Sequence, residues 1–201
     1  MEIQRFLDEL AAPTPTPGGG SASALAGALS ASLLAMVAGL SMKKGKIPRA
    51  LARQIQRKAL AIQKRLLRAV EDDARSYEGV MAALRLPKDT ERQKERRLQR
   101  LERALQKATK PPTIVCEASI ELLEHSRVLL SGGNPSAWSD TAVAALLAHA
   151  AMEGGFFNIQ INLESIKDKA FSDRMNRQIR QLKDRAERIV ARMPRVWSFR
   201  K

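Results

Sequence analysis

Two aspartates carry the chemistry most worth following in this chain. Asp73 closes the run Glu71-Asp72-Asp73, and successive helical residues point about 100° apart, so only one of the three can face inward. Val70, Ala74 and Tyr77 mark the apolar side, drawing Asp73 or an immediate neighbour toward it. Burial there would raise a carboxyl pKa toward the range useful to a general acid. The alternative is a solvated acidic patch among arginines. Asp140 is the only charged residue between Arg127 and Glu153. It stands near the start of an apolar helix, behind Trp138, either as a desolvated acid/base or as a carboxylate stabilising the positive end of that helix.

Four further groups could bind a ligand. In Pro-Thr-Pro-Thr-Pro-Gly-Gly-Gly-Ser at 13–21, a stiff proline approach meets three glycines able to reach positive φ, so Gly18, Gly19 and Gly20 let a partner close on the backbone. Ser21 then reads as a helix N-cap, and free amides at that end favour a carboxylate or a polar edge. A simple turn and cap is the competing reading. Asn158 and Asn162, four apart on one helical face, either hydrogen-bond a ligand or lock helices together. Lys44, beside Lys43 and Lys46, either holds a carboxylate or complements a helix C-terminus. His125 and His149 lack metal-ligand spacing, so no metal site is expected, and Cys116 reads as a small core residue.

These groups need helices to hold them. Breaks at Pro13–Gly20, Gly45–Pro48, Leu86–Thr90, Pro111-Pro112 and Ser131–Asn134 divide the sequence into helices at about 2–11, 21–41, 48–84, 90–109, 112–130, 135–165 and 170–192. The longest shows helical spacing through Leu51, Ile55, Ala59, Ile62, Leu66, Val70 and Tyr77. No strand alternation, repeat or linker interrupts the pattern, so the chain reads as one all-α domain over 1–201, an antiparallel bundle of long helices around a central helix of small residues. Asp140 and Asn158 then lie about 27 Å apart on a straight helix. They can meet only if the helix bends at Gly154-Gly155 or a second subunit brings one opposite the other; otherwise they serve different ends of a long ligand.

Composition narrows the function classes. Hydrophobic residues make up 44% of the chain but aromatics only 4%, a helical palette. Residues 21–40 contain four serines, two glycines and seven alanines, too polar and small for a membrane span and suited to the centre of a bundle. The net charge of +14 is concentrated at 43–110 (+13) and 166–201 (+8), against −2 for 1–42 and −5 for 111–165. The basic segments are also amphipathic, so their charge reads first as solvated helix faces and second as attraction for an acidic ligand. With one tyrosine and no recognisable motif, nucleic acid is not the expected partner. One cysteine, and an N-terminus without the basic start of a signal peptide, suit the cytoplasm.

Five segments together carry a family resemblance: Pro-Thr-Pro-Gly-Gly-Gly-Ser at 15–21, Asp-Ala-x-x-Tyr at 73–77, Leu-Pro-Lys-Asp-Thr at 86–90, Ser-Asp-x-x-Val-Ala-Ala at 139–145 and Asn-x-x-Ile-Asn-Leu at 158–163. From about Met1 to Ala170 the chain resembles the folate cyclodeaminase family, which unites the cyclodeaminase part of formiminotransferase-cyclodeaminase with stand-alone methenyltetrahydrofolate cyclohydrolases. The resemblance implies a helical homodimer acting on the one-carbon unit between N5 and N10 of tetrahydrofolate, with or without a polyglutamate tail and with no metal or redox cofactor. On this resemblance Asp140 and Asp73 would be the acids. Gly18–Ser21, Lys44, Asn158 and Asn162 would bind substrate. The leading expectation is cyclodeamination of 5-formiminotetrahydrofolate to 5,10-methenyltetrahydrofolate and ammonia. The alternatives are hydrolysis of the methenyl compound to 10-formyltetrahydrofolate and a non-catalytic helical module binding folate or protein. Around 39–47 the chain departs from the family, having Gly39, Ser41, Lys44, Gly45 and Lys46 where an Asn and a Tyr are common.

Overall fold

The computed structural model describes residues 2–193. Among them are seven α-helices, one short 3-10 turn and no strand. Helix α2 (Gly19–Lys44) is the centre. Its small residues make no distinct apolar stripe, and Ala24, Ala31, Leu34, Val37 and Ala38 are buried on several sides, because helices pack against it from more than one direction. Helix α3 (Arg49–Leu84) runs antiparallel to it: Ser21 reaches Val70, Gln63 reaches Ser32, and Gly39 lies against Gln56. The buried face of α3 follows the periodicity of the sequence, with Ala52, Ile55, Ala59, Ile62 and Leu66 turned inward.

Helix α6 (Trp138–Glu164) lies antiparallel along another side of α2. Ser30 Oγ donates to the Ala144 carbonyl at 2.7 Å, and the Asn134 amide donates to Ser41 Oγ at 2.9 Å. Buried serines in the central helix thus find acceptors or donors on a neighbour instead of lying unsatisfied. Helix α5 (Lys110–Gly132) packs beside α2, α3 and α6 with Leu122, Leu123 and Ile120 fully buried. Helix α7 (Lys169–Val190) runs parallel to α5, tied by Gln178 to Glu117 and by Arg185 to Glu124. Helix α4 (Glu91–Ala108) buries only Leu105 and Ala108 and leans on α3 from outside. Helix α1 (Ile3–Ala11) anchors through Phe6.

Turn chemistry accounts for the boundaries. Thr90 and Gln93 form a capping box that starts α4. Pro111 and Pro112 occupy the first turn of α5, where missing N–H groups cost nothing. Asn134 caps a 3-10 turn at Pro135–Ala137, so the helix expected from 135 begins instead at Trp138. Two membrane-length segments, α2 and Pro135–Glu164, have 50% and 44% of their most apolar windows buried inside the bundle.

Candidate active site

The amino-terminal end of α2 is assembled differently from the simple cap expected. The N-cap residue is Gly18, in extended backbone at φ −134° and ψ −157°, without a side-chain cap. Ser21 lies inside the first turn, fully buried, and its hydroxyl is directed sideways to α3. It donates to Asp73 Oδ2 at 2.9 Å, with the Val70 carbonyl at 3.3 Å as a second acceptor. None of the described glycines has positive φ, so glycine is required within the Gly-Gly-Gly run by close approach at Gly20 and not by backbone conformation. A Cβ on Gly20 would stand 2.7 Å from both Cγ and Oδ2 of Asp73 and would also collide with Oδ1. The missing side chain lets the carboxylate lie directly on the helix end.

Asp73 is the one member of its acidic run that turns inward. Asp72 pairs with Arg75 at 2.7 Å, and exposed Glu71 stands 3.8 Å from the same guanidinium. Burial pushes the Asp73 pKa above the usual carboxylate range, while hydrogen bonds from the Ser21 side chain and backbone pull the other way. The outcome is a carboxyl group able to exchange a proton nearer neutrality, on a rigid support. Across α2, Gly19 faces Asn158, with Nδ2 3.6 Å from where a Gly19 Cβ would be. Asn158 Nδ2 donates to its own helix at Gly154 O, 2.7 Å away. Gly18–Ser21, Asp73 and Asn158 therefore form one constellation drawn from α2, α3 and α6.

The remaining expected site residues lie elsewhere. Asn162 donates to the Ala108 carbonyl at 3.0 Å and ties α6 to the end of α4, the helix-locking role of a partly buried amide. Asp140 sits in the first turn of α6, near the opposite end of α2, and Lys44 is exposed at that same end. Helix α6 is uninterrupted at Gly154-Gly155; these glycines admit Ser23 and Cys116 of neighbouring helices, with Cys116 Sγ 2.6 Å from a Gly155 Cβ position. The bend that would have joined Asp140 to Asn158 is absent, and the axial rise keeps the two about 27 Å apart within one chain. Cys116 is buried, and burial drives its thiol pKa upward, consistent with a packing role. Among the described residues no group of three His, Cys, Asp or Glu could hold a metal ion.

Arg96, Arg100, Arg103 and Lys107, part of the basic stretch expected first as solvated helix faces and second as attraction for an acidic ligand, line a cleft of about 830 Å³ between α3, α4 and α5 that begins at Asp72. Their spacing gave the face, but which helix it would oppose was not legible.

Comparison with known proteins identifies the family and matches the helical fold. Residues 2–181 match the model of the formiminotransferase-cyclodeaminase family. The chain is 34% identical over 173 residues to a methenyltetrahydrofolate cyclohydrolase of Methylorubrum extorquens, covering 85% of this chain and 83% of that protein. It is 30% identical to the formimidoyltransferase-cyclodeaminase of Sus scrofa over 94% of this chain, which spans only 35% of that longer protein. Among solved structures, formiminotetrahydrofolate cyclodeaminase from Thermotoga maritima superimposes with a TM-score of 0.85 at 27% identity, covering 96% of this chain and 93% of that one. With the conjunction of a glycine-rich helix start, an inward aspartate and a small-residue central helix, this chain belongs to the formiminotransferase-cyclodeaminase family of folate one-carbon enzymes.

Proposed function

We propose that the chain is a methenyltetrahydrofolate cyclohydrolase, with Asp73 as its proton-transfer group. The observation that carries the site is the half-buried Asp73 carboxylate seated on Gly20 and held by Ser21. What favours hydrolysis is the 34% identity to a cyclohydrolase over most of both chains. Water adds to the carbon bridging N5 and N10, and the Asp73 carboxylate accepts the proton it loses. The resulting carbinol then breaks its C–N5 bond; N5 takes up a proton, the hydroxyl gives one up, and 10-formyltetrahydrofolate leaves. One proton is released per turnover, and the raised pKa of Asp73 suits a group that must both accept and return it. First-turn amides of α2 and the Asn158 amide would orient the pterin. The substrate brings its own one-carbon unit, so the reading invokes no cofactor.

The chain is read as a cytoplasmic homodimer. Helices α2 and α6 present Leu29, Met36, Leu40, Val143, Leu146, Phe157 and Ile161 to solvent, the last two at 66% and 60% exposure. A two-fold pairing of α6 about its midpoint near His149 would set Asp140 of the partner subunit beside Asn158, completing a site that one chain leaves divided.

The second reading is cyclodeamination, favoured by the structural likeness to the Thermotoga maritima cyclodeaminase. There N10 attacks the formimino carbon, and the nitrogen leaves as ammonia after protonation. Loss of the methenyl absorbance above the uncatalysed rate supports hydrolysis. Appearance of that absorbance from 5-formiminotetrahydrofolate, with ammonia, supports deamination. Folate binding with no turnover of either compound would leave a binding module, whereas turnover unaffected by Asp73→Asn would remove Asp73 from the chemistry.

A further inference from the structure

A second cleft, of about 390 Å³, lies between the C-terminal halves of α5 and α7. Its cationic lining is all arginine: Arg127 from α5, Arg185 and Arg188 from α7, and Arg192 just past the end of that helix. Glu124 is the one acid there, and Arg185 holds it through Nε at 3.1 Å and Nη2 at 2.9 Å. Arg127, Arg188 and Arg192 have no ion-pair partner among the described residues, although Asp184 and Glu187 stand close to them in sequence. Those two acids are absent from the lining. The negative end of α7 accounts for Arg188 in its last turn, but α5 has no basic residue in its last turn and Arg127 lies before it. His125 also lines the cleft, with its side chain only 12% exposed. Its Nε2 is enclosed without a hydrogen-bond partner; Glu121 Oε1 stands 3.7 Å away and is shared with Lys58 at 3.6 Å. Like charges gathered in this way repel, so packing of α5 on α7 supplies no reason for them.

We infer that this cleft is a binding site for a small phosphoryl dianion, gripped by Arg127, Arg188 and Arg192 with the Arg185–Glu124 pair as its fixed wall. Each guanidinium presents a planar fork of donors that matches phosphate oxygens. Three forks offer about six N–H groups, more than the roughly four lone-pair sites of one carboxylate and suited to the three terminal oxygens of a phosphoryl group. Lysines would attract an anion as point charges, and none lines the cleft. Its volume falls within the small-ligand range of about 300–1,000 Å³, and Val128 and Ile189 supply aliphatic surface for the remainder of a phosphomonoester. No aromatic side chain is present to stack a nucleobase. The cleft also stands apart from the folate site. Lys58, which reaches Glu121 beside His125, precedes Asp73 by fifteen residues of α3, about 22 Å of helix. Binding here therefore requires no particular reaction at Asp73.

The full chain is titrated with glycerol 3-phosphate, inorganic phosphate and glutarate at neutral pH and constant ionic strength. Binding is read by calorimetry and by the ring resonances of His125 and His149, the two histidines of the chain. Saturable binding of the phosphoryl compounds is expected, with glutarate weaker and with the His125 resonance moving while that of His149 stays. The tighter of the two phosphoryl ligands identifies the source, a phosphomonoester or free phosphate. Arg188→Gln/Arg192→Gln, at exposed positions where folding is checked by circular dichroism, should weaken binding about a hundredfold, roughly tenfold for each charged hydrogen-bonding group removed. Arg188→Lys/Arg192→Lys keeps the charge but loses the forks, and should weaken it about tenfold. Full affinity in the lysine variant overturns the site, as does binding of glutarate as tight as that of either phosphoryl compound. Absence of saturable phosphoryl binding, or equal movement of both histidine resonances, overturns it as well.

Discussion

Substituting Gly20 by Ala tests whether the carboxylate laid on the end of α2 is the reacting group. A Cβ at this position would be 2.7 Å from Cγ and Oδ2 of Asp73. Restoring an ordinary contact pushes the carboxylate back by at least about 0.7 Å, and displacement along its 2.9 Å bond from Ser21 stretches that bond to about 3.6 Å or more, beyond hydrogen-bonding range. A lost hydrogen bond to a charged group is worth about 1.5–3 kcal/mol, and a misplacement approaching 1 Å costs a catalytic group roughly a hundredfold. Ala is better than Gly in a helix by up to about 1 kcal/mol, which offsets part of the loss in stability. The expected variant therefore keeps its melting temperature within a few degrees while kcat/KM falls about a hundredfold, some 2.7 kcal/mol of transition-state stabilisation. The assay is the steady-state loss of methenyl absorbance, paired with a thermal melt. Gly19→Ala is the control, because the atom nearest its Cβ position is Asn158 Nδ2 at 3.6 Å, and its activity should stay within about threefold of the parent. Wild-type activity in Gly20→Ala would falsify the reasoning, as would equal damage from both substitutions.

Three other outcomes follow from the same contacts. Ser21→Ala removes a donor that favours the Asp73 carboxylate, so the folded-state pKa rises further, and the acid limb of the pH–rate profile should move to higher pH; an unmoved limb would separate Asp73 from the chemistry. Asp73 has a folded pKa above its unfolded value, so its stabilising contribution is complete below the ordinary Asp pKa and is lost as pH rises through the raised value. Asp73→Asn, which keeps an acceptor for Ser21, should abolish turnover yet melt no lower than the parent at neutral pH; a clearly lower melting temperature contradicts the sign of that shift. Gly155→Ala places a Cβ 2.6 Å from Cys116 Sγ and 3.1 Å from the Pro112 carbonyl, an overpacking expected to destabilise by about 1–3 kcal/mol in urea unfolding.

Local residue chemistry made most of the scaffold legible. Prolines, glycines and capping side chains mark the helix boundaries to within a few residues: Thr90 starts α4, Pro111 and Pro112 start α5, and Asn134 precedes the turn into α6. Periodicity identified the inward face of α3, because Ile55, Ala59, Ile62 and Leu66 repeat with the helix itself. The candidate site was legible only in part. Gly18–Gly20, Ser21, Asp73 and Asn158 were identified and do converge, but Gly18 and not Ser21 is the N-cap, and the glycines do not use the positive φ open to them. A glycine needed for close approach looks the same in sequence as one needed for a turn.

Sequence alone determined the all-helical composition and the small-residue centre, while the separation of Asp140 from Asn158 followed once the structure showed α6 unbroken through Gly154-Gly155, since 1.5 Å of rise per residue then holds. Only tertiary structure decided which acid of Glu71-Asp72-Asp73 turns inward, because that depends on where α2 crosses α3 and on Gly20 leaving room for the carboxylate. It likewise decided that Asn162 grips Ala108 and that the α4 cations face a cleft. Period and propensity specify a helix and its faces; the neighbour each face meets is set by packing between segments far apart in the chain.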